Sequence, residues 1–236
     1  MELAGSLAVI TGATEGIGRA IAFTLGRAGA RVAICARTGQ NVRATVGELC
    51  AAGVDAIGAP CDVSDPAAVD RFASFVTTQR GAAKVLVNNA GVGRFAPVAE
   101  MAPEDWRAMV DTNLTGVFHA CRAAIPHLRR RGGGWIVNIS SLSATNPFVE
   151  GAGYCATKAG LNVFSEALLQ ELRHDDIRVS YIMPGSVGTG FAGIQSPADW
   201  KLTPEDIARV VVDLTGHPQR SLPSRVEIRP SKPPRK

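Results

Sequence analysis

The run Leu7-Ala8-Val9-Ile10 stops at Thr11-Gly12-Ala13-Thr14-Glu15-Gly16-Ile17-Gly18, and Arg19 to Arg27 then reads as a helix. Strand, glycine turn and helix in that order constrain the chain strongly, because strand and helix must pack closely and the first helical amides point at whatever occupies the turn. Gly12 allows the tight turn. Gly16 and Gly18 remove Cβ atoms that would obstruct the approach of a pyrophosphate and the packing of helix on strand. The spacing G-x-x-x-G-x-G departs from the commoner dinucleotide fingerprint, and no G-K-[ST] follows to suggest a triphosphate loop.

The same alternation continues down the chain. Arg31 to Ala36 is strand-like, Asn41 to Ala52 helical, Ala56 to Pro60 strand-like, Pro66 to Gln79 helical and Val85 to Val87 another apolar strand. Trp106 to Arg130 reads as one long helical region, Trp135 to Ile139 as a fifth strand, Val179 to Ile182 as a sixth and Arg225 to Pro230 as a last one. Short all-apolar strands between helices predict an α/β fold, a doubly wound parallel sheet with helices on both faces. At 236 residues, 46% of them hydrophobic, the chain fits one domain over 1–230 with a basic, proline-rich tail at 231–236.

The net charge of +4 sits at that end: six basic residues against one acid from His217 onward leave −1 for the rest. A solvated terminus is the expected reading, with no nucleic-acid partner. The apolar runs are too short to span a bilayer and no signal-peptide pattern opens the chain, so a cytoplasmic protein without a membrane partner is expected. Five cysteines (Cys35, Cys50, Cys61, Cys121, Cys155) with no C-x-x-C pair suggest free thiols in a reducing compartment and no metal site.

In an open parallel sheet, ligands bind beyond the carboxyl ends of the strands. After the second strand stands Arg37, where an acidic residue would favour a free ribose 2′-hydroxyl and an arginine favours a 2′-phosphate; this points to NADP(H) over NAD(H), weakened if Glu15 lies close. Asp62 follows the third strand and reads equally as an adenine contact or a turn aspartate. Asn88-Asn89-Ala90-Gly91 follows the fourth, with amides suited to tying strands together. Asn113 interrupts a helical pattern, and Ser141 ends the fifth strand.

Tyr154 and Lys158 are four residues apart and share a helix face. A phenol titrates near about 10, and a neighbouring ammonium in a partly desolvated setting would lower that, making Tyr154 a usable general acid and base. An amphipathic helix with an incidental Tyr and Lys is the plainer alternative. Cys155 is read as a small packed side chain.

As a set, Thr11-Gly12-x-x-x-Gly16-x-Gly18, Asn88-Asn89-Ala90-Gly91, Asn113, Ser141, Tyr154-x-x-x-Lys158 and Pro184-Gly185 resemble, in order and spacing, the short-chain dehydrogenase/reductase superfamily from about Ala4 to Thr189. The likeness is to the roughly 250-residue, Rossmann-like members such as the 3-oxoacyl-carrier-protein reductase type. It implies an oxidoreductase moving hydride between a nicotinamide cofactor and a carbonyl or secondary alcohol, possibly a 3-oxoacyl compound or an apolar ketone. Tyr154 would exchange the proton, Lys158 would lower its pKa and hold the nicotinamide ribose, Ser141 would bind the reacting oxygen, and Asn113 would hold a water linking Lys158 to solvent. Cofactor contacts are implied at Gly12, Thr14, Glu15, Gly16, Ile17 and Gly18 in the turn, and at Arg37, Asp62, Val63, Asn89, Ala90 and Gly91 past the next strands. Tyr154, Lys158, Pro184, Gly185, Val187 and Thr189 complete that set, with Thr189 on the nicotinamide carboxamide. The alternative is a cofactor-binding regulatory or scaffold protein with little turnover.

Where members of this type commonly end in a strand and a D-G-G segment, this chain runs into its basic tail, which places the usual tetramer contact in question. The helices around Asp105 to Arg130 and Tyr154 to Arg173 are expected to pair across a two-fold axis, giving a homodimer or homotetramer. Val187, Phe191, Ile194, Trp200, Phe95, Phe148 and Val149 are candidate substrate walls, or lid residues folding onto the core. Arg129-Arg130-Arg131 would suit an acidic carrier protein, though the helix dipole alone favours a basic helix end.

Overall fold

The computed structural model describes residues 3–193 and 198–234; Ile194 and the tail residues Arg235 and Lys236 lie outside the described residues. One parallel sheet contains β1 (Leu7–Thr11), β2 (Arg31–Ala36), β3 (Ala56–Pro60), β4 (Val85–Asn88), β5 (Gly134–Ile139), β6 (Ile177–Pro184) and β7 (Arg225–Ile228), in the order β3-β2-β1-β4-β5-β6-β7. Helices α1 (Gly16–Arg27), α2 (Gly39–Ala51) and α7 (Pro204–Gly216) cover one face. On the other face lie α3 (Pro66–Arg80), α5 (Gly116–Arg130) and α6 (Ala152–Leu172), with α4 (Pro103–Val110) packed against α6.

The unbroken apolar strands follow from this layering. In β1, Ala8 and Ile10 enter the core under α1 and α7 while Leu7 and Val9 face α3 and α5, and every residue of β5 is buried. A strand covered on both faces has no solvent side on which to place polar residues. The order reverses between β1 and β4, so the crevice for a ligand opens beyond the carboxyl ends of those two strands. The architecture is thus the expected single-domain, Rossmann-like doubly wound sheet.

Three local features differ from the sequence reading. The region 106–130 is not one helix: a π turn at Asp111–Thr115 separates α4 from α5. The extra residue in that turn places Asn113 inward, and such insertions concentrate at functional sites. Helix α7 was not anticipated, although Thr203 and Asp206 form a capping box ahead of its apolar face and Pro204 occupies the first helical position. The last strand ends at Ile228, short of Pro230, whose ring nitrogen has no hydrogen to offer a ladder. All five cysteines are free thiols, and among the described residues no helix is long and apolar enough to cross a membrane.

Candidate active site

The glycine turn and the end of β4 are stitched together by Thr11. Its Oγ1 accepts from the backbone amides of Asn89 and Ala90, each at 3.1 Å. In return Asn89 Nδ2 donates to the carbonyls of Thr11 at 3.0 Å and Gly12 at 2.8 Å. Gly12 has φ +62°, and a Cβ there would lie 2.7 Å from the Ala90 Cα; Gly16 has φ +51° and faces the Thr189 methyl. Both therefore need the left-handed backbone that glycine supplies. Gly18 has a different task. A Cβ on it would run into the Asn89 side chain and the Gly12 carbonyl, so it serves helix-to-strand packing and not the approach of a ligand.

Helix α1 begins without a side-chain cap: Glu15 holds the N-cap position but its carboxylate accepts no capping bond. Arg19, one turn on, is engaged by Glu48 at 2.6 Å. A helix start whose amides lack a side-chain acceptor, beside two Cβ-free positions, fits a pyrophosphate by both geometry and dipole. Thr14 and Ile17 lie half-buried in the same turn.

Past the neighbouring strands, Arg37 is exposed directly after β2. Asp62 accepts from the Ser64 amide at 3.0 Å and hydroxyl at 2.7 Å, which is the turn role. Val63 is buried, with its carbonyl 3.1 Å from His119 Nδ1. Asn88 reaches Asn138 at 2.8 Å and Asn138 reaches Ser165 at 2.8 Å, a buried amide ladder tying β4 to β5 and α6. Thr189 stands opposite Gly16, and Val187 is bridged to Leu202 and packed on the core. Pro184-Gly185 turns between the end of β7 and the Leu142 side chain, with the Gly185 amide on the Ile228 carbonyl at 2.8 Å.

The chemistry-bearing residues converge beside this crevice. Ser141 caps a short turn after β5, its Oγ accepting from the Ser143 amide at 3.1 Å. That bond occupies a lone pair and leaves the hydroxyl proton to donate elsewhere. Lys158 is buried, 4% exposed, with Nζ donating to the Ile139 carbonyl at 2.8 Å and lying 5.8 Å from the Tyr154 ring centroid. Asn113, fully buried, accepts from the Val92 amide at 2.8 Å and donates to the Val92 carbonyl at 2.9 Å and to Thr157 Oγ1 at 3.1 Å. Its side chain therefore braces the β4 loop against α6. A Cβ on Gly91 would come within 3.3 Å of Asn113 Oδ1 and 3.7 Å of Lys158 Nζ, so glycine gives the loop its close approach to both side chains.

The titration differs from the sequence expectation. Burial pushes the Tyr154 phenol up to about 12, with the Ser141 hydroxyl acting against it, and burial pulls the Lys158 ammonium down to about 8. Burial decides both shifts, each toward the neutral form.

Two phenyl rings flank Tyr154 and a third stands behind one of them. Phe95 meets it edge-on at 5.8 Å, Phe191 lies tilted at 5.6 Å, and Phe148 stands 5.3 Å from Phe95. Of the other candidate wall residues, Val149 is 88% exposed and Trp200 stacks with Lys201 at 5.8 Å, so neither joins this collar by a ring contact. Arg129 to Arg131 end α5 at the opposite end of the sheet, with Arg129 paired to Asp175 at 2.7 Å and Arg131 donating to the Ala82 carbonyl. Fifteen helical residues separate them from the crevice by about 22 Å.

Comparison with known proteins agrees with this geometry. A family model described as short chain dehydrogenase matches residues 6–199. A candidate ketoacyl reductase of Streptomyces coelicolor is 42% identical over 188 residues, 79% of this chain and 72% of that protein. A metagenomic short-chain oxidoreductase solved with NADP is 40% identical with a TM-score of 0.87, covering 99% of this chain and 100% of its own. A variant of actinorhodin polyketide ketoreductase solved with NADPH is 34% identical with a TM-score of 0.89, covering 96% of each chain. The chain belongs to the short-chain dehydrogenase/reductase family and is an oxidoreductase of that family.

Proposed function

We propose that the enzyme reduces apolar or aromatic ketones with NADPH. The observation that carries this reading is the placement of the Tyr154 phenol near Ser141 and Lys158 and between the Phe95 and Phe191 rings, with an uncapped helix start that suits a pyrophosphate. When bound, the nicotinamide cofactor supplies the hydride. Ser141 donates to the carbonyl oxygen and steadies the charge that develops on it. Tyr154 then transfers its proton to that oxygen. A phenol at about 12 still donates downhill to an alkoxide, whose conjugate acid is, like water, a much weaker acid.

Lys158 has three ammonium hydrogens, of which one is given to Ile139; the others can hold ribose hydroxyls. Asn113 is a positioning residue that keeps Gly91 and Val92 against α6. Phe95, Phe148 and Phe191 offer no hydrogen bond, so they select by burial and ring contact. The decisive experiment follows NADPH consumption against acyclic, bicyclic and aryl ketones and 3-oxoesters. Turnover of the apolar members supports the proposal; exclusive turnover of small polyols or acids would overturn it.

Arg37 supports NADP over NAD. A charge-assisted bond to a 2′-phosphate is worth about 1.5–3 kcal/mol. Arg37→Ala is accordingly expected to weaken NADPH binding by about 10- to 100-fold and NADH binding little, as read by fluorescence titration with each nucleotide.

The chain is also proposed to form a dimer through α5 and α6, where Phe118 is 47% and Val163 71% exposed. Large apolar side chains on adjoining outer helix faces suit an isologous contact. Val163→Glu is expected to shift the mass found by light scattering from dimer to monomer.

A further inference from the structure

An apolar cavity of about 60 Å³ lies between the sheet and the facing sides of α3 and α5, apart from the Tyr154 collar. We infer that it is a binding site for one small apolar molecule, a hydrocarbon or an alkyl group of a few carbons.

Its origin is a run of short side chains. Ala73 on α3 and Ala120, Ala123 and Ala124 on α5 line it, where longer residues would close the space between the helices. Opposite them stand Val9 and Leu86 of the sheet, with Val69, Phe72 and Val76 of α3. The volume exceeds the roughly 10–15 Å³ that a single water needs, so size alone does not decide the occupant.

Chemistry decides it. A buried water needs two to four polar partners, and the two hydroxyls in the wall are already engaged. Thr11 Oγ1 holds the amides of Asn89 and Ala90, and Thr77 Oγ1 donates to the Ala73 carbonyl at 2.8 Å. Cys35 and Cys61 are thiols, weak hydrogen-bond partners for water, while His127 Nδ1 lies 2.9 Å from Arg130. Water inside would trade its bulk hydrogen bonds for hydrocarbon walls. An apolar guest restores the dispersion contacts that the lining lacks.

Access is also present. A surface recess between α3 and α5, lined by Asp70, Ser74, Thr78 and His127, shares Ala73, Thr77 and Ala123 with the cavity. Arg122 and Asp70 join the two helices at 3.5 Å beside that recess, both side chains more than half exposed, and an exposed pair of that kind opens at little cost.

The test uses xenon as the probe, with the full chain labelled at its Val, Leu and Ile methyl groups. Increasing xenon pressure is expected to shift the methyl signals of Val69, Val76 and Leu128 along a saturating curve, and to leave Ile207 on the other sheet face unmoved. Ala73→Leu is expected to fill the space, keep the fold and weaken binding at least tenfold. Ala120→Leu provides a second filling variant if the first does not fold. Wild-type methyl signals that never saturate, or equal xenon binding in a folded filling variant, would overturn the inference.

Discussion

Tyr154→Phe is expected to lower kcat by about a thousandfold, the upper part of the range for losing a positioned general acid, while NADPH affinity and melting temperature stay close to wild type. The hydroxyl is one atom on a ring held by Phe95 and Phe191 at 5.8 and 5.6 Å, and phenylalanine keeps those ring contacts. Steady-state NADPH consumption on a ketone substrate and a parallel cofactor titration separate the two effects. Wild-type turnover in the variant would move proton donation to another group, of which Ser141 is the nearest in chemistry.

Lys158→Met should abolish useful turnover and yet stabilise the fold. Burial pulls the ammonium from its ordinary 10.5 to about 8, which disfavours the charged form by about 3 kcal/mol at pH 7. Against this stands the loss of the bond to the Ile139 carbonyl, about 1–2 kcal/mol. A net gain of about 1–2 kcal/mol corresponds to a rise of about 2–8 °C in a chain of this size. The sign with pH follows from the depressed value. Below about 8 both folded and unfolded chains hold the proton and the wild type bears the full penalty. Between about 8 and 10.5 the unfolded chain binds more protons, so wild-type stability climbs and the variant's advantage shrinks. Thermal melts of both proteins at pH 7 and pH 9.5 read this directly. A variant that melts lower than wild type at pH 7 would show that the ammonium is stabilised by its surroundings and not penalised by them.

Most of the sheet was legible because its strands are short, apolar and bounded by turn residues; the Leu7 to Gly18 segment alone specifies strand, turn and helix. The pairing of Tyr154 with Lys158 followed from helical spacing and was found on one helix face. What the sequence hid was mainly three-dimensional satisfaction. Nothing in Asp111-Thr112-Asn113-Leu114-Thr115 announces a π turn, and the partner that Asn113 meets from it, Val92, is twenty-one residues away. Gly16 and Gly18 look alike in a pattern, but only Gly16 sits at positive φ, and Gly18 is required by the Asn89 amide. The direction of the Tyr154 shift was misjudged because spacing reveals a neighbouring charge and conceals burial. The position of Arg129 to Arg131 at the far end of the sheet follows from the direction of α5, which the sequence alone does not show. Helix α7 had its signal in Thr203-Pro204-Glu205-Asp206, a cap that could have been read.

Strand β7 alternates exposed Arg225 and Glu227 with half-buried Val226 and Ile228, and Arg225 and Arg229 both pair with Glu227, at 2.7 and 2.8 Å. Followed by Pro230, this short charged ribbon resists recruiting a strand from another molecule. Beneath it β6 is eight residues long and buried except at Arg178. Shortening the chain before Arg225 would uncover that strand as an open, oily seam, and the protein would be expected to clump on expression even with every catalytic residue in place.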